Sequence, residues 1–255
     1  MTDKQIFILP DSMGWGNVVM CLCNLLCEAE TQKFIPYVHS SINDVHRGVE
    51  FSGFEITSEK NMKHFEPKIF LNQQYFNFVH KPFIHKVLKP TIQMEELIEK
   101  YKHLVEGVQC GIHIRRGAFS NDSSKIGCHG FNDDGTIKPA YFASDSAVEK
   151  FEEIVKMVPG RVYIASDSKE LKQRFKTKFG EKISFLDTDI TLTYDCVFLK
   201  NETKNDDRLN CYLDWFLLSK CRNLYLTGGQ NGQDMSTFGY TAAVYGNCGA
   251  YFIFN

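Results

Sequence analysis

The sequence predicts an α/β protein whose larger part is a parallel sheet with helices on both faces, and three observations carry that prediction. From Gly107 to the end, short runs rich in β-branched and aromatic residues alternate with longer stretches of helical spacing, in the order β-α-β-α-β-α-β-α-β. The chain also opens as an apolar strand, a glycine-bearing loop and an apolar helix. Finally, 255 residues, 43% hydrophobic and 24% charged, suffice for one large or two small domains with a real core.

Each element follows from its local pattern. "QIFILP" (Gln5–Pro10) reads as a short buried strand and "DSMGWGN" as a loop. "VVMCLCNLLCEAE" (Val18–Glu30) reads as a helix. The stretch from Phe34 to Pro90 holds short apolar pieces such as "PKIFL" and "FNFVH" among prolines, and reads as strands and loops. "TIQMEELIEKYKHLVEG" sets Met94, Leu97, Ile98, Tyr101, Leu104 and Val105 at helical spacing and stops at Gly107, a residue suited to a helix C-terminus. "GVQCGIHIR" (Gly107–Arg115) is a strand, followed by the long polar loop "GAFSNDSSKIGCHGFNDDGTIKP". Next come a helix over 140–158, the strand "RVYIAS", the charged helix "DSKELKQRFKTKFG" and the strand "ISFLD". The amphipathic helix "RLNCYLDWFLLSKC", the strand "NLYLTG", a helix from "MSTFGYTAAVYG" and the strand "AYFIFN" complete the series. The division expected is 1–105 for a first half and 106–255 for a second.

Charge and cysteine usage narrow the function classes. Net charge is −2, with Lys and Arg spread along the chain, which argues against a general nucleic-acid binder. No apolar run approaches the ~20 residues of a membrane span. The apolar part of "MTDKQIFILPD" is too short for a signal peptide, so a cytoplasmic location is expected. The nine cysteines include no C-x2-C pair, and Cys21, Cys23 and Cys27 lie in an apolar segment. Reduced structural thiols and no zinc site are expected. The adjacent carboxylates of "FNDDG" (Phe131–Gly135) read as a turn.

In parallel sheets ligands bind outside the carboxyl ends of the strands. That rule gathers the loops 10–17, 115–135, 166–168 and 227–237 on one rim. In "HIRRGAF", His113 and Arg115 share one face of the strand and Arg116 points to the other. A guanidinium at a strand end either grips a phosphate with forked hydrogen bonds or pairs with a nearby carboxylate. The run "TGGQNGQD" leads into a helix start formed by Ser236, Thr237 and Phe238. Such an end either caps itself or holds an anion. Asp167 either caps the helix that begins at Ser168 or accepts hydrogen bonds from a ligand. Gly14 and Gly16 either permit a tight turn or let a ligand approach the backbone, and Asn17 either caps the first helix or joins that site. Trp15 either packs in the core or stacks on a sugar.

These segments together resemble a known family. "HIRRG" resembles the H-x-R-R-G-D motif of the fucosyltransferases that make α-1,2, α-1,6 and protein O-linked fucose. "DWFLLSKCRNLYLTGGQNGQDMSTFGYTAAVYG" resembles their C-terminal motif, in the form found in plant cell-wall fucosyltransferases. "YIASDS" resembles the family's strand ending in Ala, Thr or Ser, then Asp, and "SMGWGNVVMCLCNLLCEA" its Gly-x-Gly-Asn turn and helix. The four segments stand in the family's order. The resemblance implies a GT-B-like fold, two Rossmann-type halves with the nucleotide cleft between them, the first half abbreviated. It implies an inverting, metal-independent transfer of L-fucose from GDP-β-L-fucose to a glycan hydroxyl, with no cofactor. Arg115 would grip the β-phosphate, with His113 and Arg116 beside the nucleotide. Asp167 would accept from guanine N1 and N2. Ser236, Thr237 and Phe238 would hold the phosphates, and Gly14, Gly16 and Asn17 would border the donor site. Asp11, His39, His46 and Asp122 are nominees for a base near the acceptor. Ala118 stands where the motif has Asp, and either Asp122 substitutes or donor choice and activity differ. A relative using another nucleotide-sugar and a non-catalytic GDP- or glycan-binding relative are the alternatives. "GWGNVV" lacks the third glycine of a dinucleotide-binding turn, which argues against a dehydrogenase.

Overall fold

The computed structural model describes residues 4–8, 14–42, 48–59, 61–66, 79–116, 142–187, 205–229 and 235–255. In the first half, β1 (Lys4–Phe7) lies between β2 (Ile35–His39) and β5 (Lys63–His64), and β4 (Glu55–Thr57) extends the sheet beyond β2, all parallel. β3 (Val49–Phe51) and β6 (Leu88–Pro90) form a separate antiparallel pair. α1 (Trp15–Gln32) follows β1. α2 (Lys81–Val87) runs directly into β6, and α3 (Ile92–Tyr101) comes next.

The second half has the predicted alternation: β7 (Val108–Ile114), α4 (Asp145–Met157), β8 (Arg161–Ser166), α5 (Lys169–Phe179), β9 (Ile183–Ser184), α6 (Asn205–Ser219), β10 (Asn223–Gly229), α7 (Thr237–Gly246) and β11 (Gly249–Phe254). Its sheet is parallel throughout, in the order β11-β10-β7-β8-β9. Strand alternation assigns each face. Val162 and Ile164 of β8 join Ile112 and Ile114 under α4 and α5, while Tyr163 and Ala165 join Leu224 and Leu226 under α6 and α7.

The halves share one core. α7 packs against both α1 and α6, and α6 packs on α3. α1 is consequently buried on nearly every side from Trp15 to Leu26, as its continuous apolar sequence requires. Trp15 is 1% exposed and meets the rings of Tyr212 and Trp215 edge-on at centroid distances of 4.8 and 5.8 Å. It is a core residue, and the sugar-stacking alternative is set aside.

Other expectations are corrected in detail. α1 begins at Trp15 rather than Val18, with Gly14 as its N-cap, so Asn17 lies inside the first turn and does not cap the helix. α4 begins at Asp145 rather than residue 140, because the Ser144 hydroxyl accepts from the Ala147 N–H and fixes the start there. "ISFLD" pairs only over Ile183–Ser184. The region 34–90 contains a helix where strands and loops were expected: α2 buries Phe83, Ile84 and Val87 against α1 and α7. "PKIFL" lies outside the described residues. The seven described cysteines form no disulfide. Burial pushes the Cys21 thiol up to about 12 and the Cys110 thiol up to about 11, so both are inert at neutral pH. Among the described residues no helix is long and apolar enough to cross a membrane.

Candidate functional site

The strand order puts a topological switch point between β7 and β10. The chain leaves β7 toward β8 and later returns on the opposite side of β7, so the loops after β7 and β10 diverge and open a crevice between them. The ladder shows the divergence. β7 and β10 last pair at Leu226 opposite His113, whereas β7 continues along β8 to Ile114 opposite Ser166. The crevice therefore opens at Arg115.

Hydrogen bonds hold the end of β7 from both sides. The Thr227 hydroxyl donates to the His113 carbonyl at 3.2 Å and accepts from the Arg115 N–H at 3.0 Å. From β8, the Ser166 hydroxyl donates to the Ile114 carbonyl at 2.7 Å. The Asp167 carboxylate accepts from the Arg116 N–H at 2.7 Å, and the Arg115 carbonyl accepts from the Ala143 N–H at 2.8 Å. Both arginine side chains reach the segment that leads into α4. Arg116 donates to the Ala143 carbonyl at 2.8 Å and to Asp145, which ties it to the start of α4. The Arg115 guanidinium lies 5.2 Å over the Phe142 ring, and Arg115 is half-buried. Of the two readings of Asp167, capping is settled against: Ser168 caps α5 by accepting from the Leu171 N–H at 3.1 Å.

The second part of the site is the start of α7. Ser236 occupies the N-cap position but makes no side-chain cap bond, and its hydroxyl, fully buried, has no hydrogen-bond partner among the described residues. The Ser236 N–H donates to the Thr227 carbonyl at 3.0 Å. α1 begins against the same turn. A Cβ on Gly16 would lie 2.3 Å from the Thr237 carbonyl carbon and 2.5 Å from the Phe238 nitrogen, so glycine permits close backbone contact there. Neither α1 nor α7 has a side-chain cap bond or an acidic residue in its first turn. α3, α4 and α5 have both: Thr91 with Glu95, Ser144 with Asp145, and Ser168 with Glu170. Among the described residues, two helix N-termini with no acidic side chain in the first turn thus adjoin one another near the end of β7, an arrangement suited to an anion.

His113 supports this turn from beneath. Its ring stacks on Phe238 at a centroid distance of 5.0 Å, and a Cβ on Gly239 would meet its Nδ1 at 3.0 Å. Burial, and secondarily the Arg115 charge, depress its pKa to about 3, so the imidazole is neutral. His113 is 5% exposed.

The remaining candidates are less concentrated. Gly14 sits at the start of α1 with nothing within 4 Å of where a Cβ would stand. Asn17 is half-buried one turn in. His39 ends β2 and shares a hydrogen bond with the Ser41 hydroxyl at 2.9 Å. Asp11, His46, Ala118 and Asp122 lie outside the described residues. Sequence reasoning missed Thr227, Phe142 and Gly239. Thr227 had one usable signal, a hydroxyl residue closing an apolar strand just before two glycines.

No protein-family model and no curated protein matches this chain by sequence. Solved structures do match. The fucosyltransferase NodZ from Bradyrhizobium is similar with a TM-score of 0.59 at 10% identity, over 95% of this chain and 92% of NodZ. A variant of Arabidopsis thaliana FUT1 in complex with GDP is similar with a TM-score of 0.56 at 12% identity, over 99% of this chain and 70% of FUT1. POFUT1 in complex with GDP-fucose matches with a TM-score of 0.51 at 10% identity, over 99% of this chain and 98% of POFUT1. At this identity the likeness establishes the fold: α/β, GT-B-like, two parallel-sheet halves, the first the smaller.

Proposed function

We propose that this chain is an inverting glycosyltransferase that transfers L-fucose from GDP-β-L-fucose to a glycan hydroxyl, without a metal. The observation that carries the reading is the convergence on Thr227. Its hydroxyl holds the backbone of Arg115 and its carbonyl holds the backbone of Ser236. The backbone of one arginine and the start of one amide-rich helix are thereby held to the same strand end, where neutralising a departing diphosphate would call on both. NodZ co-crystallised with GDP and POFUT1 with GDP-fucose have the same fold, which supports this choice of nucleotide.

In this reading the acceptor oxygen attacks the anomeric carbon from the face opposite the diphosphate. The sugar–phosphate bond breaks, GDP leaves with the bonding pair, and the acceptor proton passes to a base or to water. Arg115 and the Ser236–Phe238 turn stabilise charge on the leaving group. Asp167 faces guanine, Arg116 braces the strand end, and Gly14, Gly16 and Asn17 border the phosphates. Asp11, His39 and Asp122 are the candidate bases. His113 is poorly suited to that duty because it is buried and its pKa, lowered to about 3 by burial, makes it a weak proton acceptor. The alternative, a relative that binds GDP or another nucleotide-sugar without fucosyl transfer, draws on Ala118 in place of the motif aspartate.

The decisive experiment compares GDP with UDP in thermal unfolding, then follows GDP-fucose turnover with and without a chelator. GDP should raise the melting temperature and UDP should not. Turnover, including slow hydrolysis, should survive the chelator, and Arg115→Ala should lower it by about a thousandfold while the fold persists. Stabilisation by UDP alone would overturn the donor assignment. GDP binding with no turnover on any acceptor would select the alternative.

A further inference from the structure

We infer that Thr227 is a positioning residue that sets the Arg115 side chain in the crevice; the inference rests on the donor reading above. The argument begins with the ladder. β10 pairs with β11 through Thr227 and on to Gly229, and with β7 only as far as Leu226 opposite His113. One step further the ladder breaks: the Thr227 carbonyl receives the Ser236 N–H, and the Arg115 N–H goes to the Thr227 hydroxyl at 3.0 Å instead. The same hydroxyl donates to the His113 carbonyl at 3.2 Å. One side chain thus replaces the missing ladder rung at the point where the crevice opens.

Thr227 is fully buried. Its hydroxyl and its carbonyl work in different directions: the hydroxyl fixes Arg115, and the carbonyl receives the Ser236 N–H at 3.0 Å. A substitution that removes only the hydroxyl therefore releases the arginine and leaves the α7 turn attached. Valine is close to threonine in shape, so Thr227→Val keeps the packing and deletes the bridge. The Arg115 amide then loses its acceptor, and the guanidinium gains freedom over Phe142. Serine keeps the bridge and loses a methyl group.

The test measures GDP affinity by calorimetry for the parent chain, Thr227→Val, Thr227→Ser, Arg115→Ala and the Thr227→Val/Arg115→Ala double variant. Amide hydrogen exchange at Arg115 is followed in parallel. Thr227→Val should weaken GDP by about tenfold, and Thr227→Ser should stay within about threefold of the parent. In the Arg115→Ala background, Thr227→Val should cost less than about twofold more, because the group it positions is gone. Exchange at Arg115 should accelerate in Thr227→Val and not in Thr227→Ser. Parent-like GDP affinity in Thr227→Val, with Arg115→Ala still impaired, would overturn the inference and leave the donor reading intact. Equal losses in both backgrounds would show that Thr227 acts through general structure, which also overturns it. A parent chain that does not bind GDP would overturn the donor reading itself and the inference with it.

Discussion

At the scale of single residues, the two glycines that open α1 differ in kind although the sequence presents them alike. Gly16 is wedged against the backbone of α7, with a Cβ placed 2.4 Å from the Thr237 carbonyl oxygen. That atom cannot swing aside as a side chain does, so Gly16→Ala must push α1 and α7 apart, at a cost of about 3 kcal/mol in urea unfolding. Gly14 has open space around its Cβ position and an ordinary extended backbone, φ −67° and ψ 154°. Gly14→Ala should change stability by less than about 0.5 kcal/mol. If the diphosphate approaches this helix start, the same substitution should still weaken GDP, and unaltered affinity would place the phosphates elsewhere. The sequence shows that both positions are glycine. It does not show why, because the contact that explains Gly16 comes from a segment near the other end of the chain.

At the scale of elements, helix starts differ in whether a side chain caps them. Ser144 and Ser168 accept from the Ala147 and Leu171 N–H groups and should each cost about 1 kcal/mol of stability when replaced by alanine. Ser236 stands at the same position of α7 with a hydroxyl that caps nothing. Ser236→Ala should therefore leave the unfolding midpoint nearly unchanged and weaken GDP binding. The reverse outcome, lost stability with intact affinity, would make Ser236 an ordinary cap. Periodicity made the strands and helices after Gly107 legible. It failed for α2, whose seven residues hold too few apolar positions to distinguish a helix from a strand and include a proline in the first turn. Thr227 carried a hydroxyl at a strand end as its one signal, and its bridging role was hidden for a different reason. Its role depends on where two strands stop pairing, which follows from sheet order and not from local pattern.

At the scale of the whole molecule, the helices between the two sheets enclose buried ionisable groups that make stability depend on pH. Burial lowers His80, bonded to the Tyr240 hydroxyl at 3.0 Å, to about 4, and burial with the Arg115 charge lowers His113 to about 3. Both imidazoles ordinarily titrate near 6.5. As pH falls below that value, the unfolded chain takes up protons that the folded chain refuses, so these groups favour the fold fully only above about pH 6.5. Asp214 acts in the opposite sense. Buried on α6 and accepting from the Tyr163 hydroxyl, it is raised to about 6 from 3.8, so the folded state binds its proton first and gains as pH drops through that interval. Two groups against one leave a net loss of stability between pH 6 and pH 4, on the order of 1 kcal/mol per pH unit. Urea midpoints should accordingly be lower at about pH 5 than at about pH 7.5. Asp214→Asn keeps an acceptor for Tyr163 and deletes the opposing titration, so its acid loss should be steeper than that of the parent. A parent midpoint that holds or rises on acidification would mean that the imidazoles bind protons in place, and that the core around α7 admits water where the structure packs His113 beneath Phe238.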